Sequence, residues 1–364
     1  MPRKHRTRGQ VPFTWGAGCG LPAMAVLAGV RFDRLFKEVD AIVEAYTRGK
    51  PLAEDLFGPD VSMGGPCWAG ISYGHINGLG AELVFPEDSE VGVEPIYDSL
   101  EEGIRQLKKP VDFAKAGLFP FYLDLWKKLQ KAFPDHKIGF SGFKSEGPLT
   151  TAWQLRGHDF FTDVYEKPDL AKEYLALVTE SIIQYRQTER AVNGLPPLPA
   201  ESGGLADDVS AMFKPAMWPE FVMPYQERLL SAVTTGYRSA HIEDLTAAHL
   251  HFLDELGLDS YDPSVSEKLT PALIRDNCTV PFGWRLNSTH YPSRTPDDIQ
   301  RWVFQAVADG ASSVHTLVAR EMCAPQNTQE SAAKVKAFCR AAKEVKRRLD
   351  AGAPREEIRH LDPV

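Results

Sequence analysis

The sequence predicts an α/β fold, a (β/α)8 TIM barrel. Three observations lead there. Eight short runs are rich in β-branched and aromatic residues, and several end in Gly, Ser, Asn or Asp. Amphipathic helical patterns lie between most of them, the alternation expected of parallel βα units. The chain has 364 residues, 43% of them hydrophobic and 25% charged, enough to bury one large core.

In chain order the strand-like runs are residues 11–15, 60–63, 138–143, 198–202, 237–244, 259–263, 280–287 and 312–318. Between the seventh and eighth, Thr295 caps a helix, Pro296 suits its first turn, Asp297 and Asp298 favour the positive end of its dipole, and Gly310 closes it. Ile299, Trp302, Val303, Ala306 and Val307 fall at helical spacing and predict one buried stripe. A last helix over about 329–349 turns Val335, Phe338, Cys339, Ala342 and Val345 inward, with Lys336, Arg340 and Arg347 outward. Residues 61–80, rich in glycine around Pro66-Cys67-Trp68, read as a loop that walls or covers a site. The expected organisation is a flexible basic arm at 1–10, one barrel over 11–348 and a polar tail at 349–364.

A formal net charge of −8 and a pI near 5.7 argue against a nucleic acid partner, which needs a clustered basic face. The one basic cluster, from Arg3 to Arg8, reads as a solvated end. Gly9, Gln10 and Pro12 break it before any apolar run, so no signal peptide is expected. The longest apolar segment, 21–30, is too short to span a bilayer. Five scattered cysteines do not form a disulfide pattern, and a cytoplasmic protein is expected.

In such a barrel the residues to weigh lie at the carboxyl ends of the strands. In the fifth run, a strand period of two places His241 and Glu243 on one side with Ile242 opposite. They read either as a satisfied pair at the barrel mouth or, with Cys323 after the eighth run, as three zinc ligands with a fourth position open. His315 lies inside that eighth run. Ser141 and Gly147 belong to a small-residue stretch that lets a ligand approach backbone, or to an ordinary βα turn. The polar seventh run puts Arg285 and Asn287 on one face, with His290 following. Arg285 grips a substrate carboxylate or pairs structurally with Glu243 or Asp262.

Glu146-Gly147-Pro148-Leu149-Thr150, then Leu155-Arg156-Gly157 and Pro168-Asp169-Leu170, resemble the substrate-pocket stretch of the uroporphyrinogen decarboxylase superfamily. Asp207-Asp208, Phe213-Lys214-Pro215, the stretches 221–225, 257–263 and 325–328, Leu79-Gly80-Ala81 and Phe85-Pro86-Glu87-Asp88 keep the same order. The resemblance spans about residues 10–348 and implies the barrel. In the family, the decarboxylase uses an arginine-bearing loop after the first strand and an Asp after the second. Here Gly16-Ala17-Gly18-Cys19-Gly20 has no arginine and Ser62-Met63-Gly64-Gly65 no acid. The methyltransferase branch holds zinc on a His-x-Cys pair after the fifth strand and a Cys after the eighth, so the resemblance implies His241, Glu243 and Cys323, with carboxylate in place of one thiolate.

The expectation is therefore a corrinoid-dependent methyltransferase that moves a methyl group between a methylcorrinoid, delivered by a separate protein, and a small acceptor. Zinc sits on His241, Glu243 and Cys323, Asp207 takes part in catalysis, and Ser141, Gly147, Arg285, Asn287, His290 and His315 contact substrate. The rivals are a metal-free decarboxylase or lyase, with His241 and Glu243 as acid and base, and a non-catalytic homologue that binds a corrinoid or tetrapyrrole.

Overall fold

The computed structural model describes residues 5–363 and divides into two compact units. One runs up to residue 68 and resumes at 243, and the other comprises 69–242. Arg3 and Lys4 of the basic cluster lie outside the described residues. Among the described residues there are nine strands, β1 (Thr14–Cys19), β2 (Ser62–Met63), β3 (Leu83–Val84), β4 (Gly92–Val93), β5 (Ala200–Ala206), β6 (Thr234–His241), β7 (Ser260–Asp262), β8 (Gly283–Leu286) and β9 (Ser313–Val318). No helix among them is long and apolar enough to cross a membrane.

In the first unit four parallel strands run β2-β1-β9-β8, and a parallel bridge from Tyr261 to Phe282 sets β7 beside the start of β8. Val314, Thr316 and Val318 are buried beneath the helices Pro296–Ala308 and Thr328–Asp350. The first of these begins as the sequence predicts. Thr295 Oγ1 accepts from Asp298 N, the Asp298 carboxylate accepts from Thr295 N at 2.9 Å, and Ile299, Val303, Ala306 and Val307 are buried. Cys339 is buried in the core-facing stripe of the second.

Within the described residues, Arg8 of the expected solvated arm and Arg355 of the expected tail are tied to the core instead. Arg8 donates to the carbonyls of Arg275 and Cys278 at the end of the helix Pro271–Asn277. Arg355 donates to Val307 O at 3.1 Å and Ala311 O at 2.7 Å, and Ile358 is fully buried. The physical reason is shared: the last carbonyls of a helix lack partners, and a guanidinium satisfies several at once.

In the second unit β5 and β6 pair in parallel, with Ala206 opposite His241, while β3 and β4 form a small antiparallel pair. The run at 138–143 forms no ladder. It makes one parallel bridge, Ile71 to Phe143, in which Ile71 N donates to Gly142 O and Lys144 N to Ile71 O. Packing fixes it instead. Phe143 stacks on Tyr122 at 4.4 Å, and Tyr185 of the helix Pro168–Val192 donates its hydroxyl to Phe143 O at 2.6 Å. This buried aromatic cluster anchors the turn that carries Glu146.

Candidate functional site

The carboxyl ends of the second unit's strands bring acids and a histidine together. β5 runs directly into Asp207 and Asp208, β6 ends on His241, and the turn after Phe143 presents Glu146. Asp208 Oδ1 lies 3.9 Å from His241 Nε2. Burial pushes the Glu146 carboxyl up to about 7; the charges of Asp208 and Asp207 add to this, while a Ser72 hydrogen bond and His241 oppose it. Glu146 is thus poised to hold or release a proton near neutrality, the property required of a general acid or base. Tyr73 stands beside it, its phenol pushed up by burial and by the charges of Glu146 and Glu90.

Asp207 plays a different part. It is fully buried, accepts from Thr150 N at 2.8 Å and from Gln226 Nε2 at 2.9 Å, and burial pushes it up to about 6. Both oxygens are engaged by the protein, so it is a positioning residue that ties the end of β5 to the first turn of the helix Pro148–Arg156. Gly147 makes that approach possible, because a Cβ there would stand 2.6 Å from Asp207 Cβ and Cγ. Gly147 therefore serves backbone packing, and Ser141 is exposed. Arg186 donates to Ser145 Oγ at 3.1 Å and Gly204 O at 2.6 Å, close enough to Glu146 and Asp207 to feel their charges. Arg156 is taken up by Asp163 at 2.8 Å and Asp159 at 3.1 Å.

The strand expected to carry both His241 and Glu243 stops short of the second. β6 ends at His241, and Glu243 lies in a turn that brings Asp244 to φ 59°. Among the described residues no three His, Cys, Asp or Glu side chains gather in a way that would hold a metal ion. Cys323 is buried, and burial, with the charge of Glu321, pushes its thiol up to about 12.

In the first unit, Asn287 caps the turn Ser288–His290 by accepting from Thr289 N at 2.9 Å. The His290 imidazole is held below its usual range by burial and by Arg294. Arg285 and His315 are registered partners on β8 and β9, and the Arg285 guanidinium meets Ser264 Oγ at 3.5 Å.

Sequence reasoning missed Glu146, Asp208 and Arg186 as site residues. Glu146 and Asp208 stood next to residues already singled out, but nothing in their spacing showed that a bridge at Phe143 and the end of β5 bring them to one place. Arg186 lay in a helix with no such signal.

Acids and a histidine gathered at the carboxyl ends of parallel strands, between helices, define the class, an α/β barrel protein. The chain belongs to the uroporphyrinogen decarboxylase (URO-D) family, whose model matches residues 57–345. A solved structure of a methyltransferase from Methanosarcina mazei superposes with a TM-score of 0.64 at 19% identity, covering 93% of this chain and 96% of that one. Family and likeness together show the TIM-barrel fold. No match appears among curated proteins.

Proposed function

We propose that the chain is a methyltransferase in which Glu146, with His241 and Asp208, manages the proton of a small acceptor. The observation that carries this is the placing of Glu146, half-buried, beside Ser72, Asp208 and His241 at the strand ends, where partial burial pushes its carboxyl up to about 7. An acceptor X–H must lose its proton as its heteroatom takes up a methyl group. A carboxylate or imidazole within hydrogen-bond reach accepts that proton and keeps the heteroatom nucleophilic. Arg186 anchors the Glu146 turn through Ser145, and Asp207 fixes the neighbouring strand end.

The methyl donor in this reading is a methylcorrinoid carried by a separate protein. The fold likeness to a methyltransferase supports the assignment, as does the first-strand loop without arginine.

A second reading, a metal-free lyase acting on a small carboxylate, is favoured by Arg285, which makes no ion pair among the described residues. One experiment separates the two. Purified protein is incubated with a methylated corrinoid protein, with thiol, phenol and amine acceptors and with small aromatic and aliphatic carboxylates, and acceptor methylation is followed by mass spectrometry alongside CO2 release. Methylation that falls about 100-fold in Glu146→Gln supports the first reading. CO2 release without methylation replaces it with the second.

A further inference from the structure

We propose that Arg285, Ser264, Gly16 and Leu317 form a subsite on the first unit's sheet for a small ligand bearing one carboxylate on a flat apolar body. This deepens the reading of the chain as an enzyme acting on a small molecule. In a parallel ladder, registered partners point to the same face. His315 is registered with Gly16 on β1 and with Arg285 on β8, so the three form one row, and Gly18 with Leu317 starts the next.

The opposite face of β9 is sealed by Val314, Thr316 and Val318 under the helices. This face is open. A Cβ built on Gly16 would meet nothing within 4 Å, and Leu317 is 42% exposed although β9 has a strand on either side. An apolar side chain left uncovered on an internal strand, beside a floor without side chains, suits a flat apolar body.

The charge is supplied by Arg285. A guanidinium carries five N–H donors, yet this one has a single long contact, Ser264 Oγ at 3.5 Å, and no ion pair among the described residues. Ser264 is itself fixed in place. Its φ of 48° is costly for a residue other than glycine, and its N–H donates to Asp262 Oδ1 at 2.8 Å. A guanidinium left with four unused donors matches a carboxylate bidentately. One cation suits one carboxylate and is a poor match for a polyanion.

The test reads binding rather than turnover, so its failure and the failure of the methyl-transfer reading are separate results. Benzoate, and benzamide as its neutral isostere, are titrated into the purified protein by calorimetry, with circular dichroism melting as the folding control. Benzoate should bind at least about 10-fold more tightly than benzamide, the scale of one charge-assisted bidentate contact. Arg285→Met should abolish that preference and Arg285→Lys keep part of it. Gly16→Leu, which fills the open floor, should weaken both ligands alike. Equal binding of the two, no benzoate binding at millimolar concentration, or a preference that survives in Arg285→Met overturns the proposal.

Discussion

The backbone N–H of Thr150 donates to Asp207 Oδ1 at 2.8 Å, so a fully buried carboxylate seals the first turn of the helix after Gly147. Asp207→Ala would strand this donor and the Gln226 amide, and should destabilise the fold by about 1–3 kcal/mol in urea titrations. The pH dependence has a definite sign. The folded pKa is about 6 against 3.8 for an unperturbed Asp, so between these values the folded state binds more protons. Asp207's contribution is therefore fully present below pH 3.8 and declines as pH rises through about 6. Asp207→Asn should flatten the stability curve over that interval, and an unchanged slope would contradict the assignment.

Gly147→Ala tests the close approach behind the site. The added methyl would sit 2.6 Å from Asp207 Cβ and Cγ and 2.8 Å from Ala206 O, so backbone must shift. A loss of about 1–3 kcal/mol is expected from denaturant midpoints, the usual cost of overpacking. A variant as stable as the parent would mean that the end of β5 and the start of the helix Pro148–Arg156 are not locked together.

Zinc content can be read directly. Elemental analysis of protein purified without a metal-affinity tag tests the ligand set expected from the sequence, and well under one zinc per chain would leave the proton-handling reading to stand without a metal. One equivalent of zinc that disappears in Cys323→Ala would instead restore the ligand set drawn from His241, Glu243 and Cys323.

Much of the fold was legible because its signals are local. Thr295, Pro296 and Asp298 specify a helix start within four residues, and the stripe from Ile299 to Val307 specifies its buried face. Seven of the eight strand-like runs overlap an observed strand, while residues 138–143 are fixed by Phe143 packing on Tyr122 and Tyr185 rather than by a ladder. The site was less legible. His241 was found because it ends a strand, but its partner Asp208 is 33 positions away in sequence and adjacent only because Ala206 pairs with His241. Glu243 falls outside β6 because that strand begins and ends about three residues earlier than its hydrophobic pattern suggests.

Uroporphyrinogen should not be decarboxylated, despite the family to which the chain belongs. Eight carboxylates require several fixed cations in a desolvated pocket. Arg156 is committed to Asp163 and Asp159, Lys144 is exposed, and the turn between β5 and Val209 presents two acids. Incubation with uroporphyrinogen should leave it intact, and robust coproporphyrinogen formation would show that cations elsewhere in the chain serve in their place.

The proton-handling role of Glu146 can be measured without knowing the acceptor. Carboxyl 13C NMR of glutamate-labelled protein, titrated from pH 4 to 9, follows each Glu separately, and Glu146→Gln identifies the resonance. Burial predicts that this carboxyl titrates near pH 7, with an unperturbed Glu at 4.5, so its contribution to stability falls as pH rises through that range and is flattened in Glu146→Gln. Moving Asp208→Asn should lower the midpoint, because one of the charges that raises it is gone. A resonance near pH 7 that vanishes in Glu146→Gln is the predicted result. A Glu146 carboxyl that titrates near 4.5 would contradict the account, since Glu146 would then be fully ionised and unable to hold a proton at neutral pH as proposed.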